Sequence, residues 1–444
     1  MDELWRRFGA LSLVHGAVPP VLTAGVVVGL LALVTLRRSR RWYLRSVPLA
    51  VLAALLLLAV GELGLAVLKP FPDRLPWIVP GWVGAALLGL CLAVAGWRRQ
   101  RTRRRVLAAL ALLLVLAGSA NAVNRVYAPF PTVAAALQLP PHDMVPSSSV
   151  LTAPGLGAAS AAVPAPESRP LAARWQPPAG MPRTGAVTEV TIPGVRSGFT
   201  TRPAWLYVPP AYLTAQRPLL PVLVLLSGQP GSPRDWVDAG GVTKVMNAFA
   251  AAHSGLAPVV VMPDALGAET ANPLCMDSRL GAADTYLSVD VPAFIGSRLQ
   301  VDPDRAHWSV GGFSYGGTCA LQLAVAHPDL FPTFLDISGQ QRPTLGNPAR
   351  TVAKAFGGDQ AALDAVDPLH ELAGRRLPGT RALLAVGAHD ARFQAQAATV
   401  RTALTAAGAD VTYTEVPGGH SWTAASAALA QALPTIAQRT GLTG

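Results

Sequence analysis

The sequence predicts an α/β domain preceded by a four-helix transmembrane region, and three observations carry that expectation. Of 444 residues, 51% are hydrophobic and only 14% charged, with a mean hydropathy of +0.36. That balance excludes a disordered chain and is too apolar for a wholly soluble one of this length. The net charge of +11 is also segregated. Residues 1–130 hold 16 basic and four acidic side chains, whereas residues 131–444 hold 20 and 21. The positive excess lies among the apolar runs, which argues against nucleic acid as a partner and for positive-inside topology. Third, past Gly185 short apolar runs of strand length alternate with helical patterns.

Taken from the N-terminus, apolar stretches at 17–36, 47–68, 77–97 and 106–123 approach the length of about 20 residues that crosses a bilayer. The first turn holds Arg37, Arg38, Arg40, Arg41 and Arg45, and the third holds Arg98, Arg99, Arg101, Arg103, Arg104 and Arg105. The middle turn has only Lys69 and Arg74, with Asp73 offsetting one of them. Loops this short obey the positive-inside rule, so both Arg-rich turns are expected in the cytoplasm. An even number of spans then puts the C-terminal domain outside; Arg6 and Arg7 beside Asp2 and Glu3 oppose this only weakly. Glu62 is the one ionisable residue well inside a span, too few for a transport path, so the spans read as an anchor. No Ala-x-Ala-like site follows the first span, which therefore does not read as a removable signal peptide.

The expected organisation is a membrane region at 1–124, a Pro/Ala/Ser-rich extracytoplasmic linker at 125–185 and an α/β domain at 186–444. The linker reads as an extended tether with at most a short helix near 132–137. Strands are expected at 187–192, 204–208, 222–226, 259–262, 306–310, 333–337, 382–386 and 411–416. Helices are expected at 287–299, 317–327, 393–407 and 424–439. Antiparallel strands first and strand–helix repeats after them describe one sheet flanked by helices. A segment of about 260 residues suffices for one such domain with a real core.

The chemistry begins at Gly312-Phe313-Ser314-Tyr315-Gly316, a G-x-S-x-G pattern between an expected strand and an Ala- and Leu-rich helix. In a strand–turn–helix context that pattern is a nucleophile elbow, where small neighbours make room for a strained serine. A serine hydroxyl needs a base, and the base a carboxylate that orients it, here in the chain order Ser, acid, His. Of the histidines beyond Ser314, His327 ends the elbow helix, His370 follows no strand, and His389 precedes the candidate acid. His420, in Pro417-Gly418-Gly419-His420, lies in a loop after the last strand and is the expected base. Asp390 directly follows the strand at 382–386 and is the expected acid; Asp367 reads as a turn and Glu415 as a strand residue. Two backbone N–H groups should stabilise an oxyanion: that of Tyr315, and that of Gln229 in Ser227-Gly228-Gln229-Pro230, since Pro230 has none to give.

Cys275 and Cys319 are expected outside, where disulfides persist. A bridge between them would pin the 272–278 loop beside the site, and two free buried thiols are the alternative. No metal-ligand spacing and no phosphate-cradling loop occurs, so neither metal nor cofactor is expected.

From about Ala186 onward the chain resembles the esterase-D-type α/β-hydrolases, whose relatives include secreted mycobacterial mycolyltransferases. The resemblance rests on Leu225-Leu226-Ser227-Gly228 with Trp236, on Gly312 to Gly317, on His327-Pro328-Asp329-Leu330-Phe331, on Gly387 with Asp390, and on His420-Ser421-Trp422. It implies an α/β-hydrolase fold and an acyl-enzyme mechanism with Ser314, His420 and Asp390, and backbone donors from Gln229 and Tyr315. This chain departs from the family at Ser227, where members often carry His or Asp. It departs from the mycolyltransferases at Gln229-Pro230, where they carry a Leu-Arg pair, and at Asp390, where they carry Glu. The expectation is therefore an anchored esterase acting on lipid-like envelope esters, with an acyltransferase or a catalytically silent scaffold as alternatives.

Overall fold

The computed structural model describes residues 2–37, 39–68, 75–97, 101–152 and 169–444. Arg38, Lys69, Asp73, Arg74, Arg98 and Arg99 of the turns lie outside the described residues. The chain forms two compact units, 1–139 and 140–444.

Among its described residues the first unit contains four helices long and apolar enough to cross a membrane: α1 (Val18–Thr35), α2 (Val47–Leu68, entered through Trp42–Ser46), α3 (Ile78–Trp97) and α4 (Thr102–Tyr127). Helix α1 packs on α4 through small residues, and α4 packs on α3. Gly29 lies against the Ala111 backbone, where a β-carbon would stand 2.6 Å from a carbonyl oxygen. Such close backbone approach is how helices associate where no hydrophobic effect separates them from lipid.

The second unit is an α/β-hydrolase fold. Among the described residues its main sheet has eight strands, β1 (Ala186–Val190), β2 (Ala204–Val208), β3 (Val222–Leu226), β4 (Val259–Met262), β5 (Trp308–Phe313), β6 (Thr333–Ile337), β7 (Arg381–Gly387) and β8 (Asp410–Val416), beside a two-residue ribbon of Asp277–Ser278 and Gly281–Ala282. Their order in the sheet is β1-β2-β4-β3-β5-β6-β7-β8; β2 is antiparallel to both neighbours and all later pairings are parallel. Strands β3 to β6 are buried along their whole length, as a sheet covered on both faces requires. Helices α5 (Val242–Ala252) and α9 (Trp422–Arg439) pack together on one face, and α7 (Tyr315–Ala326) and α8 (Ala391–Ala406) cover the other; α6 (Val291–Arg298) stands before β5.

Two expectations need correction. The strand expected at 306–310 begins at Trp308 and runs through Gly311 and Gly312 to Phe313, because Arg305–His307 forms a 3-10 turn capped by Asp304. The expected tether is also shorter. Helix α4 continues to Tyr127, and Val133–Ala136 is a helix capped by Thr132. Residues 143–145 bridge to β1, with Val187 N–H donating to Asp143 O at 3.0 Å and Val145 N–H to Val187 O at 2.9 Å. This covers the open edge of an edge strand. Val150 is fully buried, and Leu171 and Ala172 donate to Gly441 and Leu442. What remains of the tether, 153–168, lies outside the described residues.

Candidate active site

Ser314 sits between β5 and α7 at φ 57°, ψ −116°, a conformation that L residues adopt only when their surroundings enforce it. Its N–H donates to Ile337 O at 2.8 Å, and its carbonyl accepts from Thr318 N–H at 3.0 Å. Gly316 has no room for a β-carbon against the Leu226 carbonyl. The elbow thus lets α7 start directly over β3 and presents the serine hydroxyl at the strand ends.

Asp390 and His420 come from the loops after β7 and β8, and those loops are tied together. Ala388 N–H and His389 N–H each donate at 2.8 Å, to Val416 O and Gly418 O. At Gly387 a β-carbon would stand 2.7 Å from Gly418 O, so only glycine lets the loops approach this closely. Asp390 precedes α8 but does not cap it with its side chain. The carboxylate instead accepts from His420 Nδ1–H, Oδ2 at 2.9 Å. With the imidazole proton on Nδ1, Nε2 accepts from the Ser314 hydroxyl at 2.8 Å. The three sequence-predicted side chains therefore form one continuous hydrogen-bonded chain. His389 is exposed, His370 stands in a helix that Asp367 caps, and Glu415 accepts from the Tyr413 hydroxyl. His327 ends α7, as expected, and meets Asp284 instead.

Aromatic rings hold the imidazole. His420 lies between Phe393, stacked at 4.2 Å between ring centroids, and Phe313 at 4.9 Å. Phe313 packs on Trp422, and Trp422 meets Trp236 edge-on, both at 5.1 Å. Trp236 is anchored by its indole N–H, which donates to Leu226 O at 2.9 Å. Nothing in the sequence pattern marked Phe393; its position three residues past Asp390 places it one helical turn below the loop.

The loop after β3 reaches Ser314: a β-carbon on Gly228 would lie 3.5 Å from Ser314 Cβ. Among the described residues, neither Gln229 N–H nor Tyr315 N–H donates to a backbone carbonyl. The Gln229–Pro230 bond is cis. The Gln229 side chain is held by Thr270 O at 2.9 Å and by Asn272 Nδ2–H at 3.2 Å. Arg202 forks onto buried Asp264, at 2.7 and 2.9 Å, and its third nitrogen donates to Gly231 O at 2.9 Å. Burial pushes the Asp235 carboxyl up to about 6, although Ser232 donates to it through both N–H and hydroxyl. These contacts fix the loop from outside the site.

A disulfide joins Cys275 to Cys319 of α7, with Cα atoms 5.4 Å apart. The strap is reinforced by Cys275 N–H donating to the Tyr315 hydroxyl at 3.0 Å, and by Gln322 Nε2–H donating to Leu274 O at 2.9 Å. The Tyr315 hydroxyl itself donates to Ala265 O, and burial pushes its pKa well above the usual tyrosine value. Among the described residues no cluster of His, Cys, Asp or Glu is arranged to hold a metal ion.

The Esterase family model matches residues 200–436, which include Ser314, Asp390 and His420. The chain belongs to the Esterase family. Over its full length this esterase-family chain is 34% identical to an uncharacterized protein of Corynebacterium glutamicum, with both chains covered completely. The first unit is therefore shared along with the second. In structure, 59% of the chain aligns with all of a ferulic acid esterase at 19% identity and a TM-score of 0.50, a likeness of fold. An S-formylglutathione hydrolase from Agrobacterium tumefaciens aligns over 58% of this chain and 97% of its own, at 20% identity and a TM-score of 0.49.

Proposed function

We propose that this esterase-family hydrolase is a membrane-anchored serine esterase, with its catalytic unit outside the cytoplasm, acting on carboxylic esters of lipid-like envelope molecules. The observation that carries the reading is the Ser314–His420–Asp390 hydrogen-bonded chain, with 2.8 and 2.9 Å links. His420 takes the hydroxyl proton as Ser314 Oγ attacks the ester carbonyl, and Asp390 stabilises the imidazolium that forms. The N–H groups of Gln229 and Tyr315 receive the oxyanion. His420 returns the proton to the leaving alcohol, then activates a water that releases the acid from the acyl-enzyme. The spans support the lipid-like substrate, because an anchor holds the site at high local concentration of acyl chains. The Arg-rich turns support the extracytoplasmic side.

The test is turnover of p-nitrophenyl esters from acetyl to palmitoyl by the full chain in detergent micelles, against Ser314→Ala. The reading expects hydrolysis that favours the longer acyl chains and falls at least roughly 10³-fold in the variant. Equal turnover by the two proteins would sink it. Acyl transfer to an added alcohol in preference to water would replace the esterase with an acyltransferase.

A further inference from the structure

We propose that the groove between α3 and α4 binds one anionic phospholipid, its acyl chain along the helices and its phosphate on Arg101 and Arg105. The inference rests on the membrane embedding of the first unit, and it concerns that unit alone.

The groove has a volume of about 550 Å³ and is lined by Leu90, Ala93 and Trp97 of α3 and by Ala109, Leu113 and Leu116 of α4, among others. Ala93 and Ala109 leave space there that larger side chains would fill. The spacing puts an apolar stretch and a basic end next to each other. Arg105, Ala109, Leu113 and Leu116 fall at successive turns on one face of α4, since residues three or four apart stack, and Arg101 is the extended N-cap residue just before that helix. Leu90, Ala93 and Trp97 do the same on α3, and Trp97 stands at the interfacial end, where amphipathic rings collect. The apolar part spans about 10 Å of helix, enough for the upper part of an acyl chain.

The Arg105 guanidinium carbon lies 6.0 Å from the Trp97 ring centroid, and its Nε–H is shielded from solvent and donates to nothing among the described residues. No carboxylate pairs with Arg101, Arg103, Arg104 or Arg105 among the described residues. By contrast Arg37 is spent on the protein: it donates to Gly96 O at 2.7 Å and stacks near Trp42. The same end is the N-terminus of the 26-residue α4, whose first turn has no side-chain cap and no acidic residue. A phosphate there would accept from the guanidinium groups and lie in the favourable field of the helix. Charge complementarity thus selects an anionic head group over a zwitterionic one for the lipid in this groove.

The experiment is native mass spectrometry of the detergent-purified full chain, titrated with dioleoyl-phosphatidylglycerol or dioleoyl-phosphatidylcholine. One phosphatidylglycerol should bind at least 10-fold more tightly than phosphatidylcholine. Arg101→Gln/Arg105→Gln should weaken it by about 30-fold, the loss expected for two basic residues near an anionic group. Ala109→Phe, which fills the groove, should remove the single tight site for both lipids. Arg40→Gln/Arg41→Gln, at the other Arg-rich turn, should leave it unchanged. Equal affinity for the two lipids, or equal losses from the two Arg pairs, would overturn the site while leaving membrane embedding intact. A chain that stays monodisperse without detergent and retains neither lipid would overturn both.

Discussion

Two histidine–aspartate pairs in the second unit have almost the same geometry and differ in everything around them. His420 meets Asp390 at 2.9 Å, and His327 meets Asp284 at 2.9 and 3.0 Å. The first pair spends Nδ1 on its carboxylate, leaving Nε2 for the Ser314 hydroxyl, and its ring lies between two phenylalanines. The second spends Nε2 on the carboxylate and lies about one-third exposed at the end of α7. The lesson is that a His–Asp contact is not itself chemistry. What matters is the group on the second nitrogen and the surroundings that hold the ring still.

The comparison is broken most directly by removing one member at a time. Asp390→Asn should lower kcat roughly 10³- to 10⁴-fold, because the wrong tautomer is then held, while Asp284→Asn should leave kcat within about 2-fold. Steady-state ester hydrolysis reads both, and a comparable loss from the second would end the distinction. Next comes the strap behind the nucleophile helix. The Cys275–Cys319 link closes a 44-residue separation, so Cys275→Ala/Cys319→Ala should cost about 4 kcal/mol in the chain-entropy account. Denaturant melts of the full chain would show it as a lower midpoint; an unchanged midpoint would mean the other contacts of the strap suffice.

A finer test concerns the rings beside His420. Phe393→Leu keeps the bulk and removes the π face, and should lower kcat by up to about 10-fold, with Phe393→Tyr restoring most of it. A loss confined to KM would argue against the ring acting through the imidazole. The smallest effect is electrostatic. The hydrogen bond that His327 Nε2–H donates to Asp284 holds the His327 pKa above 6.5, so the pair contributes stability below that pH and loses it as pH rises through the folded value. His327→Gln should therefore destabilise the chain at pH 5.5 but not at pH 8.5, by under about 1 kcal/mol given the exposure of the pair. Thermal melts at the two pH values check the sign.

Much of this fold is legible in the sequence because β3 and β4 are buried on both faces, which makes each an unbroken apolar run. The positions of Ser314, Asp390 and His420 are legible because a motif and a chain order constrain them jointly. The exceptions have a common cause. Phe313 through the glycines, the docking of 143–145 on β1, and the Arg202–Asp264 clamp all depend on neighbours distant in the chain. Periodicity reports only which way a residue faces. It is silent on which remote backbone needs covering or which remote carboxylate needs a partner. The Cys275–Cys319 bridge is a middle case: the expected compartment and the composition allowed it, and proximity alone could decide it.

The central claim is an activated serine at position 314. Fluorophosphonate labelling of the full chain in detergent, followed by peptide mapping, tests it most directly. The account predicts one adduct, on Ser314, abolished in Ser314→Ala, strongly slowed in His420→Ala and unaffected in His327→Ala. A folded chain that takes no label, or takes it on another serine, would contradict the account.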